Sequence, residues 1–225
     1  MRSVLFDTET TGLNPMSGDR LIEIAALELF NDLPTGITFH RLVDPERDVP
    51  VDATRIHGIA RDQLIGKPLF AEIIDDLLEF IGEDKLVAHN APFDFGFLDA
   101  ELSRVGRPKL DRSRMVDTLA MAKSRFPGMP NSLDALCRRF NIDLSERVTH
   151  NALLDCKLLA EVYIELTGGR QRGLSLAAQQ AEIPTAIYKA AGPRTPRPVV
   201  PTLAETEAHT AFVATIKDPI WLKTT

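Results

Sequence analysis

Two carboxylates two residues apart, Asp7 and Glu9 in LFDTETTG at 5–12, stand at the end of an apolar strand. Alternate strand residues share a face, which puts their Cα atoms about 6.5–7 Å apart. Like charges that close cost free energy unless a cation, a shared proton or open water compensates. The spacing alone carries little weight, because a D-x-E tripeptide arises about once by chance in a chain of this length. Two later segments add to it. HNAPFDFGFL at 89–98 sets Asp94 at the start of a helix just past a strand, and VTHNALLDCKLLAEVY at 148–163 sets Asp155 inside a helix after His150.

Four carboxylates brought to one place would be untenable bare, but they suit two divalent cations. Hard oxygen ligands point to magnesium or manganese and away from zinc. Such a pair, about 3.5–4 Å apart, clamps the attacking and leaving oxygens of an in-line phosphoryl displacement. A nearby histidine, with an ordinary pKa of about 6.5, can take the proton from the attacking water. In a continuous helix His150 and Asp155 would lie roughly 140° apart around the axis. For both to serve one site, His150 must precede the helix, on a loop or its first turn.

The elements that would position these groups are legible in the hydrophobic pattern. Strands are expected at 4–6, 20–30 and 37–43, the last two joined by a polar NDLPTG hairpin connection. LFAEIIDDLLEFIG at 69–82 repeats apolar residues at helical spacing and ends at Gly82, where a C-terminal cap belongs. A short buried strand follows at 85–89, then helices at 93–106, 115–125, 131–140 and 151–167. This order predicts an α/β fold, a mixed sheet covered by helices. Ligands in such sheets bind beyond the carboxyl ends of the strands, where Asp7, Glu9 and Asp94 would all lie.

The chain has 225 residues, 44% hydrophobic and 26% charged, enough for one domain with a sizeable core plus an appendage. No segment approaches the roughly 18 apolar residues of a membrane span, which argues for a cytoplasmic protein and against a membrane one. Cys137 and Cys156 have neither disulfide-framework nor zinc-ligand spacing and read as buried thiols. Residues 171–225 carry a net charge of +2 out of −6 for the whole, leaving −8 on residues 1–170. An acidic domain is a poor general binder of a phosphate backbone, so metal ions or a partner must supply the attraction.

FDTETTGL, HNAPFDFGFL and THNALLDCKLLAEVY, in this order, together resemble the three motifs of the DEDDh 3′→5′ exonucleases. The resemblance implies a ribonuclease H-like sheet over residues 1–170 and release of mononucleotides from a 3′ end. It implies that Asp7, Glu9 and Asp155 bind one metal ion, that Asp7 and a water-linked Asp94 hold the other, and that His150 is the general base. It further implies that Thr10, Thr11 and Gly12 contact the terminal nucleotide, with Leu13 as an apolar wedge under its base. His57 and Asn90 match positions beside the substrate, Asp117 reads as a helix cap, and Cys156 as packing.

Beyond residue 170 the sequence changes character. QRGLSL at 171–176 resembles the peptide by which bacterial replication proteins bind the sliding clamp, with Gln171, Leu174 and Leu176 as anchors. Five prolines between 182 and 201 predict an extended linker. TLAE at 202–205 has the form of a capping box, opening a short helix that carries Phe212, and Trp221 follows near the end. A large aromatic beyond a linker suits an interface anchor. The whole is similar to the proofreading subunits of bacterial replicative DNA polymerases. That resemblance implies a tail, residues 202–225, docking on the catalytic (alpha) subunit, a frayed or single-stranded DNA 3′ end as substrate, and a replisome location at the nucleoid. It leaves room for a further small core subunit. A freestanding ribonuclease with the same site, of the oligoribonuclease or ribonuclease T kind, and a noncatalytic polymerase-bracing adaptor remain as alternatives.

Overall fold

The structure is a computed structural model and describes residues 1–145, 147, 149–169 and 198–219. The chain divides into two units, Met1–Leu174 and Ser175–Thr225. QRGLSL, with Gln171, Leu174 and Leu176, most of the Pro-rich stretch, and Trp221 lie outside the described residues.

The first unit is built on a five-stranded sheet in the order β3-β2-β1-β4-β5. Its strands are β1 (Arg2–Thr10), β2 (Leu21–Phe30), β3 (Leu33–Leu42), β4 (Lys85–Ala88) and β5 (Met115–Asp117). The β1-β2-β3 meander is antiparallel, whereas β1-β4-β5 is parallel, so the sheet is mixed as expected. The hairpin between β2 and β3 is tighter than NDLPTG suggests. Asn31 and Asp32 take positive φ of 53° and 65°, a two-residue turn that matches the strand twist, and pairing resumes at Leu33.

Among the described residues of this unit the α-helices are α1 (Val51–His57), α2 (Arg61–Leu64), α3 (Phe70–Ile81), α4 (Ala91–Arg104), α5 (Thr118–Arg125), α6 (Leu133–Phe140) and α7 (Ala152–Leu166). The pattern at 51–64 gave no helix, because α1 and α2 each span too few residues to show a period. The helix expected from 115 begins at Thr118, because Met115–Asp117 pairs with β4 and Asp117 caps the helix by accepting the N–H of Leu119.

Side-chain alternation divides the core between the two faces of the sheet. Val4, Phe6, Ile24 and Ala26 pack under α3 and α4, whereas Leu5, Ala25, Leu27 and Leu29 pack under α5, α6 and α7. α3 buries Phe70, Ile73, Ile74, Leu77 and Ile81, each contributing about 1.5–3 kcal/mol. On α7 the small residues Ala152, Cys156 and Ala160 recur one turn apart and are all buried. Their size lets the helix backbone approach β2 closely enough for the Cys156 thiol to donate to the carbonyl of Ala25 at 3.4 Å.

In the second unit, α8 (Leu203–Ala214) opens with the expected capping box: Thr202 Oγ1 accepts the Glu205 N–H and Glu205 Oε2 accepts the Thr202 N–H. Phe212 on this helix is exposed.

Candidate active site

β1 outruns its parallel neighbour. β4 pairs with Ser3, Val4 and Leu5 only, so Asp7 and Glu9 project past the ladder into the space beyond β4. On the other side β2 continues, placing Asp7 opposite Ala25 and Glu9 opposite Glu23. After Ala88 the chain turns through Asn90, in the left-handed region at φ 68°, and enters α4 with Pro92 in its first turn. Asp94 therefore lies in the first turn of a helix that starts where the strand stops. Asp117 fixes this entry as well as its own helix, since its Oδ1 accepts the N–H groups of Asn90 and Ala91 at 3.0 and 3.3 Å.

α7 brings in the remaining acid. Asn151 caps it by accepting the Leu154 N–H at 3.0 Å, so Asp155 occupies the first turn and His150 precedes the helix. The His150 backbone N–H is held by the Ile56 carbonyl at 3.1 Å. Glu23, 1% exposed, ties the helix to β2 by accepting the Ala152 N–H and the Asn151 side-chain amide, both at 3.2 Å.

The site that results is strongly acidic. Ligand atoms of Glu9, His150 and Asp155 all lie within 4.8 Å of one another. Asp7, His150 and Asp155 line one open cavity of about 310 Å³, together with His89, Asp134 and Arg147. Burial, then Asp94, Glu9, Asp155 and Glu23 in turn, hold the Asp7 carboxyl well above the usual range. Burial and the Glu23 charge push Glu9 up to about 8. Asp94 is pushed up to about 7 by burial, against the Thr8 hydroxyl that donates to its Oδ1 at 2.7 Å. Asp155 alone in the quartet is lowered. Burial would raise it, but Arg147, which donates to both of its oxygens, and the adjoining His150 imidazole outweigh that.

An oxygen-rich donor set with one imidazole, in which burial and then neighbouring carboxylates raise three of the four acids, fits hard divalent cations. Asp94 stands apart from the close Glu9–His150–Asp155 triad, bonded to Thr8 and felt electrostatically at Asp7.

A second groove of about 460 Å³ runs beside the acids and is lined by Thr10, Thr11, Gly12, Leu13, His57 and Phe93 among others. The Thr10 and Thr11 hydroxyls are engaged within the turn, on the Gly12 carbonyl and the Arg20 N–H. Gly12 has no room for a side chain, because a Cβ there would meet the Asp19 carboxylate at 2.3 Å. Leu13 is 80% exposed. His57 is buried, with Nδ1 accepting the Ile59 N–H and Nε2 without a hydrogen-bond partner. The Asn90 side chain is exposed and makes no cap bond.

Sequence reasoning missed Glu23, Asp134 and Arg147. Glu23 left a signal, a lone carboxylate in the otherwise apolar run LIEIAAL, which a buried strand tolerates only with partners. Arg147 and Asp134 left none, since their meeting with Asp155 depends on how α6 and α7 pack.

Residues 4–163 match the sequence profile of a family described as exonuclease. The DNA polymerase III subunit epsilon of Rickettsia felis is 47% identical over 222 residues, covering 96% of this chain and 97% of the relative. That of Escherichia coli K12 is 47% identical over 176 residues, covering 75% and 72%. Among solved structures, exonuclease X in complex with 5′-overhanging duplex DNA superposes with a TM-score of 0.57 at 26% identity, covering 73% of this chain and 90% of the other. The nuclease domain of 3′hExo, a DEDDh family member bound to rAMP, shares the fold with a TM-score of 0.63 at 17% identity, over 74% and 91% of the two chains.

Proposed function

Because the chain belongs to the exonuclease family and, within it, to the DNA polymerase III epsilon subunits, we propose that it proofreads replication by hydrolysing mismatched nucleotides from a DNA 3′ end. The observation that carries this reading is the convergence of Glu9, His150 and Asp155 beside Asp7 at the C-terminal end of β1. Two magnesium or manganese ions, held by Asp7, Glu9, Asp94 and Asp155, would supply charge stabilisation at the phosphate and at the attacking and leaving oxygens.

The chain's own residues do the rest. The Thr10–Leu13 turn, with His57 and Phe93 behind it, shapes a groove beside the acids for the terminal nucleotide, and the exposed Leu13 can slide beneath its base. His150 is 48% exposed and faces the open cavity, where it takes a proton from the attacking water. The water oxygen bonds to phosphorus, the bond from phosphorus to the 3′ oxygen of the preceding nucleotide breaks, that oxygen takes a proton from solvent to become the new 3′-hydroxyl, and one mononucleotide leaves.

The domain carries a net −8 and need not hold DNA strongly itself. The polymerase delivers the frayed end at high effective concentration, and a mismatched end melts more readily than a paired one. In this reading residues 202–225 dock on the polymerase catalytic subunit through Phe212 and Trp221, and Gln171, Leu174 and Leu176 engage the sliding clamp. The protein then works in the cytoplasm at the replisome. Among the described residues no helix is long and apolar enough to cross a membrane.

Incubating the full-length protein with a 3′-mismatched primer tests the function. Stepwise loss of mononucleotides with magnesium or manganese, abolished by chelator, is expected; an intact primer under both conditions would refute it.

A further inference from the structure

We propose that Arg147 is a resident counter-ion of the catalytic cluster, holding Asp155 and His150 in place until a divalent cation binds and yielding its place when one does. The inference rests on the metal-dependent reading above. The Arg147 side chain is only 9% exposed, a burial that a guanidinium tolerates only when it is paired. Its Nε and Nη2 fork onto both oxygens of Asp155 at 2.6 and 2.7 Å. Nη2 also donates to His150 Nδ1 at 2.9 Å, and Nη1 is paired with the Asp134 carboxylate.

This arrangement obstructs catalysis in two ways. The fork occupies one lone pair on each Asp155 oxygen and sets a permanent positive charge beside the place where Glu9, His150 and Asp155 converge. A cation taking Asp155 as a ligand must compete with that charge. The imidazole is affected too. With Nδ1 accepting from Arg147, the ring proton of neutral His150 sits on Nε2, so neither ring nitrogen is free to receive a proton from water. Once the guanidinium withdraws, Nδ1–H can donate to Asp155 Oδ2, already 3.2 Å away, and Nε2 gains a free lone pair. Cation entry and arming of the base thus become one event. Asp134 lines the same cavity and is 37% exposed, so it offers the displaced arginine a place to remain.

A permanent brace beneath Asp155 would give the opposite sign in a binding experiment. Free manganese is followed by its electron paramagnetic resonance signal during titration into full-length wild type, Arg147→Met and Arg147→Lys. Displacement predicts a dissociation constant at least about tenfold lower for Arg147→Met, the equivalent of one charged hydrogen bond released. Arg147→Lys is expected to fall between, because an ammonium cannot fork both oxygens. Equal or weaker binding by a folded Arg147→Met overturns the proposal. If circular dichroism shows that variant unfolded, Arg147→Lys decides by the same sign. No manganese binding by wild type would refute the metal-dependent reading itself, and this inference with it. Independently, ¹⁵N correlation spectra of chelated protein should show the Nε2–H tautomer of His150 in wild type and Nδ1–H in Arg147→Met; the same tautomer in both would overturn the link to the base.

Discussion

Glu9, held at about 8 chiefly by burial, keeps in the folded protein a proton that the unfolded chain releases near its ordinary 4.5. Asp94, pushed to about 7, and Asp7, raised well above its ordinary range, act in the same direction. Between the unfolded and folded values the native state binds more protons than the unfolded one, so stability falls as pH rises. Chelated protein should therefore show a falling Tm from about pH 5 to pH 8, and saturating magnesium or manganese should recover most of the loss at pH 8. A chelated Tm that rises across that range would contradict the clustering of the acids. If His150 receives the proton as proposed, His150→Ala should lower kcat by about 10²–10⁴-fold with the fold intact by circular dichroism. The acids and His150 were legible because each sits in a short motif whose neighbours also carry information: Thr-Thr-Gly after Glu9, and Val-Thr before His150. Arg147 was not, because a long side chain that reaches Asp155 through tertiary packing leaves no period or spacing behind it.

Among the elements, α7 has the most demanding placement, because it must bring both His150 and Asp155 to the end of β1. Small residues at 152, 156 and 160 set its distance from β2, and Glu23 pins its first turn. Cys156→Leu adds volume to a fully buried contact and should destabilise by about 1–3 kcal/mol in denaturant melts. It should also lower kcat, since α7 can relieve the crowding only by carrying Asp155 away from Asp7. Glu23→Ala leaves the Ala152 N–H and the Asn151 amide without their acceptor and should cost about 1–3 kcal/mol, with Glu23→Gln recovering part of it. α3 was legible from its apolar period and the glycine that closes it, whereas β5 was absorbed into the expected helix at 115–125. Three residues are too few to declare alternation, and only pairing with β4 makes them a strand.

Taken whole, the protein joins an acidic nuclease unit, net −8, to a mildly basic tail, net +2. That asymmetry suits an enzyme brought to its DNA by partners. Residues 1–170 alone should digest a short single-stranded oligonucleotide at the rate of the full chain but fail to co-purify with polymerase catalytic subunit. Changing Leu174 and Leu176 to Ala should weaken sliding-clamp binding in surface plasmon resonance and spare that digestion; unchanged clamp affinity would remove the clamp assignment. The sheet and its acid-bearing end were legible in residues 1–170 because burial imposes a pattern there. Beyond residue 170 only the capping box at Thr202 and the short helix it opens meet their expectation among the described residues, because a cap is written in local side-chain chemistry and needs no core.

The most direct measurement is anomalous scattering from crystals of the protein soaked in manganese chloride. Two peaks about 3.5–4 Å apart, contacted by carboxylate oxygens of Asp7, Glu9 and Asp155 with Asp94 directly or one water away, are the expected result. Soaked crystals with no peak among these four side chains, or a peak ligated only elsewhere, would contradict a metal-dependent site at the end of β1.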